Sequence, residues 1–204
     1  MSQVRTLLER RVSTNYFDTQ RPLSDEQVQE LVRLATLAPS AYNFQNWRFI
    51  AVRTPQAKQR LKAVAYGQQK VEDAPVTFII CGTLNAHLGL ARALQPSVDA
   101  GIFDASVVDT WVTMASGSHS GNAQLQRDEA FRSASLAAMT LMLAAEDMGL
   151  ATGPMSGFDP AGVAREFGLS ADEVPVMLVT VGYPAPGNWP QKPRKPVAEV
   201  LSLA

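Results

Sequence analysis

The stretch from about Ala123 to Met148 constrains this chain more than any other part of it. Leu136, Ala137, Ala138, Met139, Leu141, Met142, Leu143, Ala144 and Ala145 leave almost no polar face there. A helix of that composition, roughly 33 to 39 Å long, has to be covered on every side. A chain of 204 residues, 46% of them hydrophobic, buries a sizeable core within the size range of one domain. It would struggle to surround such a helix unaided. The expectation is one domain over 1–204, with part of the long helix facing a second subunit.

Local signals place the other elements. Ser24-Asp25-Glu26-Gln27 is a capping-box pattern, so a helix starts there and keeps apolar spacing through Val28, Leu31, Val32, Leu34, Ala35 and Ala38 until Pro39 stops it. Trp47 to Val52 reads as a strand, and Thr54-Pro55 supplies an N-cap and an N1 proline for a helix through about Tyr66. Pro75 to Gly82 is an apolar, β-branched run that reads as a central strand. From Asn85 to Asn122 the pattern degrades: Pro96, Gly101 and the run Ser116 to Gly121 predict two short, weak helices in a flexible excursion over a site. A short helix over Ala161 to Phe167, a strand over Val174 to Gly182 and an extended Pro-rich arm from Tyr183 to Pro196 complete the chain.

Composition excludes several chemistries. The formal charge of −1 gives no net drive toward nucleic acid. No apolar run approaches the roughly 20 residues of a membrane span, and the first eleven residues lack the apolar core of a signal peptide, so a cytoplasmic protein is expected. The single cysteine, Cys81, lies in the central strand and reads as buried and inert. There is no G-x-G-x-x-G, no P-loop, and no Cys/His cluster with metal-ligand spacing, so no metal site is expected. Gly117-Ser118-His119-Ser120-Gly121 has the outline of a nucleophile elbow, but His119 holds the central position and no strand feeds it. A chain poor in nucleophiles and bases, yet equipped for phosphate and amide-edge recognition, suits chemistry carried by a cofactor.

Three segments carry that recognition. Arg10-Arg11-Val12-Ser13-Thr14 and Lys192-Pro193-Arg194-Lys195-Pro196 read as two halves of one anion site, or as solvated charge and a tail. Pro39-Ser40-Ala41-Tyr42-Asn43-Phe44-Gln45-Asn46-Trp47-Arg48-Phe49 follows a helix end with small and amide side chains. With Glu146-Asp147-Met148-Gly149-Leu150-Ala151-Thr152-Gly153, Gly157-Phe158-Asp159 and Val179-Thr180-Val181-Gly182-Tyr183-Pro184, they resemble the FMN-dependent nitroreductase family over nearly the whole chain, Arg10 to about Val200.

The resemblance implies a three-layer α+β fold, a mixed and mainly antiparallel sheet flanked by helices, whose long buried helix lies at a homodimer interface. The residue pattern alone supports only mixed α and β. The resemblance further implies FMN bound in two interfacial sites, with NADH or NADPH passing hydride to it and a nitroaromatic, quinone or similar acceptor taking the electrons in ping-pong fashion. Arg11 and Ser13, with Lys192 and Arg194, match family residues near the phosphate, and Arg10, Val12 and Asn15 beside them are further expected cofactor-binding positions. Pro39, Ser40, Ala41 and Asn43 match a loop reaching the cofactor from the partner subunit. Pro154, Met155, Ser156 and Gly157 match the segment along the flavin, and Gln68 and Lys70 its pyrimidine edge. Lys70 there is a candidate electrostatic stabiliser; as a bare sequence feature it reads equally as a solvated helix-end lysine. Asn15 stands where many members have Lys or Arg, and Ser156 where some have Glu. Phe103, Trp111 and His119 are candidate substrate contacts, with Phe103 and Trp111 also readable as packing and His119 expected exposed in a Ser/Gly loop. A flavin-storing protein without turnover is the alternative within the same fold, and a terminal nucleic-acid patch is a third reading that the charge opposes.

Overall fold

The computed structural model describes residues 3–204. Its α-helices are α1 (Gln3–Arg10), α2 (Asp25–Ala35), α3 (Pro55–Val64), α4 (Lys70–Asp73), α5 (Leu90–Asp99), α6 (Ala105–His119), α7 (Ala123–Asp147), α8 (Pro160–Phe167) and α9 (Val197–Val200). The strands β1 (Trp47–Val52), β2 (Val76–Thr83), β3 (Ala151–Met155) and β4 (Glu173–Gly182) form a sheet in the order β1-β2-β4-β3. All three strand pairs are antiparallel. The parallel component is a single bridge, Ser13 to Thr152, outside the named strands.

Caps behave as their chemistry dictates. Ser24 Oγ accepts from the Gln27 N–H at 3.2 Å and Gln27 Oε1 accepts from the Ser24 N–H at 3.0 Å, closing the capping box. Thr54 Oγ1 accepts from the Ala57 N–H, with Pro55 at the first turn of α3. Helix α2 ends at Ala35, three residues before the expected stop. Thr36 to Ala38 tighten into a turn whose Leu37 and Ala38 N–H groups bond the carbonyls three residues back, which keeps Ala38 compatible with Pro39. Helix α3 likewise stops at Val64, because Tyr66 and Gly67 take positive φ.

Strand β2 is the axis of the molecule. Every residue from Val76 to Gly82 is buried, so both of its faces need cover. Val76, Phe78 and Ile80 face α2 and α7, packing with Leu31, Ala134, Ala138 and Leu141. Ile79 and Cys81 face the other way, against Leu61 of α3 and Val163 of α8. Three layers follow from the two-residue period of a strand. Burial raises the Cys81 thiol pKa to about 12, so it is an inert core group, as expected. The 25-residue α7, about 37 Å long, buries Ala130, Ala134, Ala137, Leu141 and Ala145 along one stripe. Its opposite side leaves Leu136 41% exposed, with Met139 and Leu143 half-buried.

Residues 85–122 are more regular than the sequence suggests. Gly101, at φ +68°, does separate two helices, but Pro96 lies inside α5, where the carbonyl it orphans belongs to exposed Arg92. Ser116 to His119 do not form a loop; they are the last turn of the 15-residue α6. Ser118 makes this possible, its hydroxyl bonding the Met114 carbonyl at 3.0 Å instead of competing for the turn. The break falls at Gly121, φ +70°.

Two glycines give opposite expectations. A Cβ on Gly153 would stand 2.5 Å from both the Thr14 carbonyl oxygen and Thr180 Oγ1, whereas one on Gly117 meets nothing within 4 Å. Gly153→Ala is therefore expected to lose about 1 to 3 kcal/mol in urea denaturation, as overpacking does. Gly117→Ala, on an exposed helix turn, is expected to gain about 0.5 to 1 kcal/mol.

Candidate functional site

Close approach at Gly153 brings the first basic cluster onto the sheet. The Thr14 N–H donates to the Thr152 carbonyl at 2.9 Å, laying residues 13–14 along the outer edge of β3. The arm after β4 returns to the same place: Phe17 bridges Pro184, and Gln191 Nε2 donates to the Leu8 and Arg11 carbonyls at 3.1 and 3.2 Å. Arg11, Val12, Ser13, Lys192 and Arg194 consequently line one cavity, although some 180 positions separate them in sequence.

This cavity is lined by cations. Among the described residues no carboxylate pairs with Arg11, Lys192 or Arg194. Arg11 Nη1 is buried and has no hydrogen-bond partner, a condition that costs about 1 to 3 kcal/mol or more for a charged group until something accepts from it. Lys192 Nζ stands 5.0 Å from the Trp189 ring centre, and Arg194 Nη1 donates to the Lys192 carbonyl. Arg10 is not part of the cluster: its Nε pairs with Glu146 of α7 at 3.3 Å.

A second cavity, about 250 Å³, adjoins this end and is lined by Asn15, Tyr16, Gln68, Gln69 and Lys70. Lys70 Nζ donates to Asn15 Oδ1 at 3.2 Å. Burial, and secondarily the charge on Lys192, holds the Lys70 ammonium below the usual lysine range. It is thus a half-buried cation, not a solvated helix-end lysine. Gln68 Nε2 donates to the Gly157 carbonyl at 2.7 Å, which ties this wall to the turn after β3. In that turn Met155 is buried in the core while Ser156 and Gly157 are exposed, and Pro154 is half-buried at the end of β3.

The structure does not bring Pro39, Ser40, Ala41 and Asn43 to these groups within one chain. They precede β1, which is the opposite edge strand of the sheet from β3, and line neither cavity. There Ser40 Oγ accepts from the Gln45 N–H, and Tyr42, Asn43 and Gln45 all take positive φ near 50°. Tyr42 packs on Trp111 at 6.1 Å, and Trp111 on Phe103 at 5.7 Å, so these two aromatics belong to the α5–α6 cluster beside the loop.

His119 departs from expectation. It is 5% exposed, because α6 continues through it and turns the ring inward. Its Nδ1 bonds the Ala115 carbonyl at 3.0 Å, and its ring meets Phe44 edge-on and stacks against His87. Burial, with His119 as a second cause, lowers the pKa of His87. A wall of the α5–α6 cluster describes His119 better than a surface contact.

A wider cavity, about 680 Å³, lies elsewhere, beside the end of β1. Its charges are answered internally: Arg53 by Asp25, Glu72 by Lys62, and Lys58 by the Glu72 and Ala74 carbonyls. Nothing there calls for a ligand as Arg11 does. Sequence reasoning missed Asn188 and Gln191, whose amides tie the arm to residues 8–16; only their place beside a basic cluster hinted at them.

The lowered Lys70 pKa has a sign that can be tested. Folded Lys70 holds its proton less tightly than the unfolded chain does. It therefore subtracts from stability at neutral pH, and the penalty fades as pH rises toward the ordinary lysine value of about 10.4. Lys70→Met is expected to melt above the unaltered protein at pH 7 when both are free of cofactor, with the gap narrowing by pH 10.

The profile of the Nitroreductase family matches residues 8–183. YodC of Bacillus subtilis, named as an NAD(P)H nitroreductase, is 34% identical over 182 residues, covering 89% of this chain and 90% of its own. An NADH dehydrogenase of Thermus thermophilus is 30% identical over 181 residues, 88% of this chain and 86% of its own. A protein of Exiguobacterium sibiricum, named as a nitroreductase and solved in complex with FMN, superposes with a TM-score of 0.91 at 26% identity, over 100% of this chain and 98% of that one. Its fold, its edge-bound basic cluster and these likenesses together show that the chain belongs to the nitroreductase family.

Proposed function

We propose that the chain is an FMN-dependent oxidoreductase that takes hydride from NADH or NADPH and reduces nitroaromatic, quinone or related acceptors. The observation that carries this reading is the buried, unpartnered Arg11 Nη1 in a cavity shared with Ser13, Lys192 and Arg194. A phosphate monoester is a dianion with several acceptor oxygens, and these cations with the Ser13 hydroxyl match it. The neighbouring cavity, walled by Asn15, Gln68 and Lys70, has room and polar edges for a ring system attached to that phosphate. The residues present therefore fit FMN. Bound FMN supplies the hydride-accepting and electron-donating chemistry. The chain binds, orients and excludes water. Arg11, Lys192 and Arg194 hold the phosphate, and the turn at Ser156 and Gly157 offers exposed backbone beside Gln68. Lys70, a cation without a carboxylate partner, is placed to favour negative charge on the ring's pyrimidine edge.

A second copy of the chain completes the site in this reading. The apolar outward side of α7 at Leu136, Met139 and Leu143 needs cover. Pairing there supplies the Ser40 to Asn43 loop, with Phe103 and Trp111 beside it, to the other copy's cavity.

Two outcomes are expected. The purified protein is yellow, its released chromophore is FMN, and its absorbance bleaches on anaerobic addition of NAD(P)H. Arg11→Ala weakens FMN binding by about 1.5 to 3 kcal/mol in a fluorescence titration, and exposed Arg194→Ala weakens it less. A protein that stays colourless in excess FMN, or equal affinity in both variants and the parent, contradicts the reading. A flavin store would bind FMN and stay oxidised. Light scattering at low micromolar concentration is expected to give a dimeric mass, and Leu136→Glu is expected to lower both that mass and the turnover. An active monomer with FMN bound would rule the shared site out.

A further inference from the structure

We propose that Asn188 is a positioning residue of the cofactor site, fixing the backbone of Asn15 and Tyr16 and, through the Asn15 side chain, the place of the Lys70 ammonium group. The inference rests on the reading of this site as the FMN site.

Asn188 uses its whole side-chain capacity, three bonds to Asn15 and Tyr16 and one to Ala185 of its own arm. Its Oδ1 accepts from the Asn15 N–H at 2.7 Å and the Tyr16 N–H at 3.0 Å. Its Nδ2 donates to the Tyr16 and Ala185 carbonyls, each at 2.9 Å. A carboxamide offers two acceptor positions and two donors, and all four are taken. Its orientation is forced too, since a flipped amide would set two donors against two N–H groups. The clamp closes a short ladder of the Asp18 N–H on the Tyr183 carbonyl at 2.9 Å and the Ala185 N–H on the Tyr16 carbonyl at 3.0 Å. Gly187, at φ +98°, makes the turn that delivers Asn188, with room for no more than van der Waals contact against the Tyr16 ring.

Asn188 Oδ1 is the acceptor recorded for the Asn15 N–H, and the Asn15 side chain is the group that receives Lys70. Lys70 is half-buried and answered there by a neutral amide rather than a carboxylate. Its charge is located without being neutralised, which is what stabilising extra negative charge on a reduced ring requires. A carboxylate in place of Asn15 would cancel that charge. Asn188 also lies four and six positions before Lys192 and Arg194, so it sets where the arm carrying the phosphate cations departs.

A tether and a positioning residue differ in one measurable respect. A tether that merely holds the arm weakens oxidised and reduced FMN alike, and leaves the midpoint potential unchanged. A residue that places Lys70 acts more on the reduced form. The experiment uses the full-length FMN-loaded protein and its Asn188→Ala, Asn15→Ala and Lys70→Met variants, with FMN dissociation followed by fluorescence and the potential by equilibration against redox dyes. Asn188→Ala is expected to bind oxidised FMN about tenfold more weakly and reduced FMN a further tenfold more weakly, the second factor lowering a two-electron potential by about 30 mV. Asn15→Ala keeps its backbone N–H on the clamp but frees Lys70, so it is expected to weaken reduced FMN more than oxidised FMN and to lower the potential by about as much as Asn188→Ala does. In a Lys70→Met background, Asn188→Ala is expected to leave the potential unmoved. An unchanged potential in both Asn188→Ala and Asn15→Ala overturns the proposal, as does an equal drop with Lys70 already removed. If Asn188→Ala does not fold, Asn15→Ala and its double variant with Lys70→Met decide the matter. Failure of the unaltered protein to bind FMN would be a different result, removing the cofactor reading and this inference with it.

Discussion

Strand β2 has no side that tolerates water, and the rest of the architecture answers that demand. Its alternate residues need two separate apolar covers, which α2 and α7 give on one face and α3 and α8 on the other. At its far end the fit leaves no margin: a Cβ on Gly82 would stand 2.3 Å from the Ala130 carbonyl oxygen, so α7 can cross there only over a glycine. With β2 and β4 committed to the middle, β1 and β3 become the edges. Edges keep unpaired backbone groups, and this chain uses the β3 edge to receive its own N-terminal segment through the Thr14–Thr152 bond.

That edge contact gathers the two basic clusters around one cavity. Neither basic cluster is held by its own secondary structure: residues 11–15 follow α1 in irregular backbone, and 183–196 are an arm. What holds them is a set of hydrogen bonds between positions about 170 to 180 apart, through Asn188, Gln191 and the Phe17–Pro184 bridge. Closing the chain over such separations costs entropy, which the sheet edge and the amide clamps offset, and it brings together Arg11, Lys192 and Arg194, none of which has a carboxylate partner among the described residues.

Local chemistry was legible in the sequence, and long-range chemistry only through resemblance. The Ser24 capping box, the Thr54-Pro55 start and the Trp47–Val52 strand depend on neighbours within a few residues, and each stands where the pattern put it. The region 85–122 was misread because composition was weighed above context: Ser118 satisfies its own helix and Pro96 sits where its missing bond falls in solvent. His119 followed that error, since a residue thought to be in a loop is thought exposed. The joining of Arg11 to Lys192 and Arg194 was anticipated from charge and family likeness, but nothing in spacing identifies Asn188 as the side chain that arranges it.

The Ser40–Asn43 loop, beside the sheet edge opposite the Arg11 cavity, has a physical logic of its own. It carries two successive non-glycine residues at positive φ, Tyr42 and Asn43, and Gln45 just after it is a third, a conformation that costs free energy and persists only where surroundings impose it. Inside one chain those surroundings are the Tyr42, Phe44, Trp111 and His119 rings, which pack on one another. That cluster lies beside β1, at the sheet edge opposite the β3 edge that holds Arg11. A preformed surface fits another body with less ordering entropy lost on contact. A positive-φ loop on an aromatic base, on the same molecule as the exposed Leu136 of α7, is what a shared site between two copies would require of each.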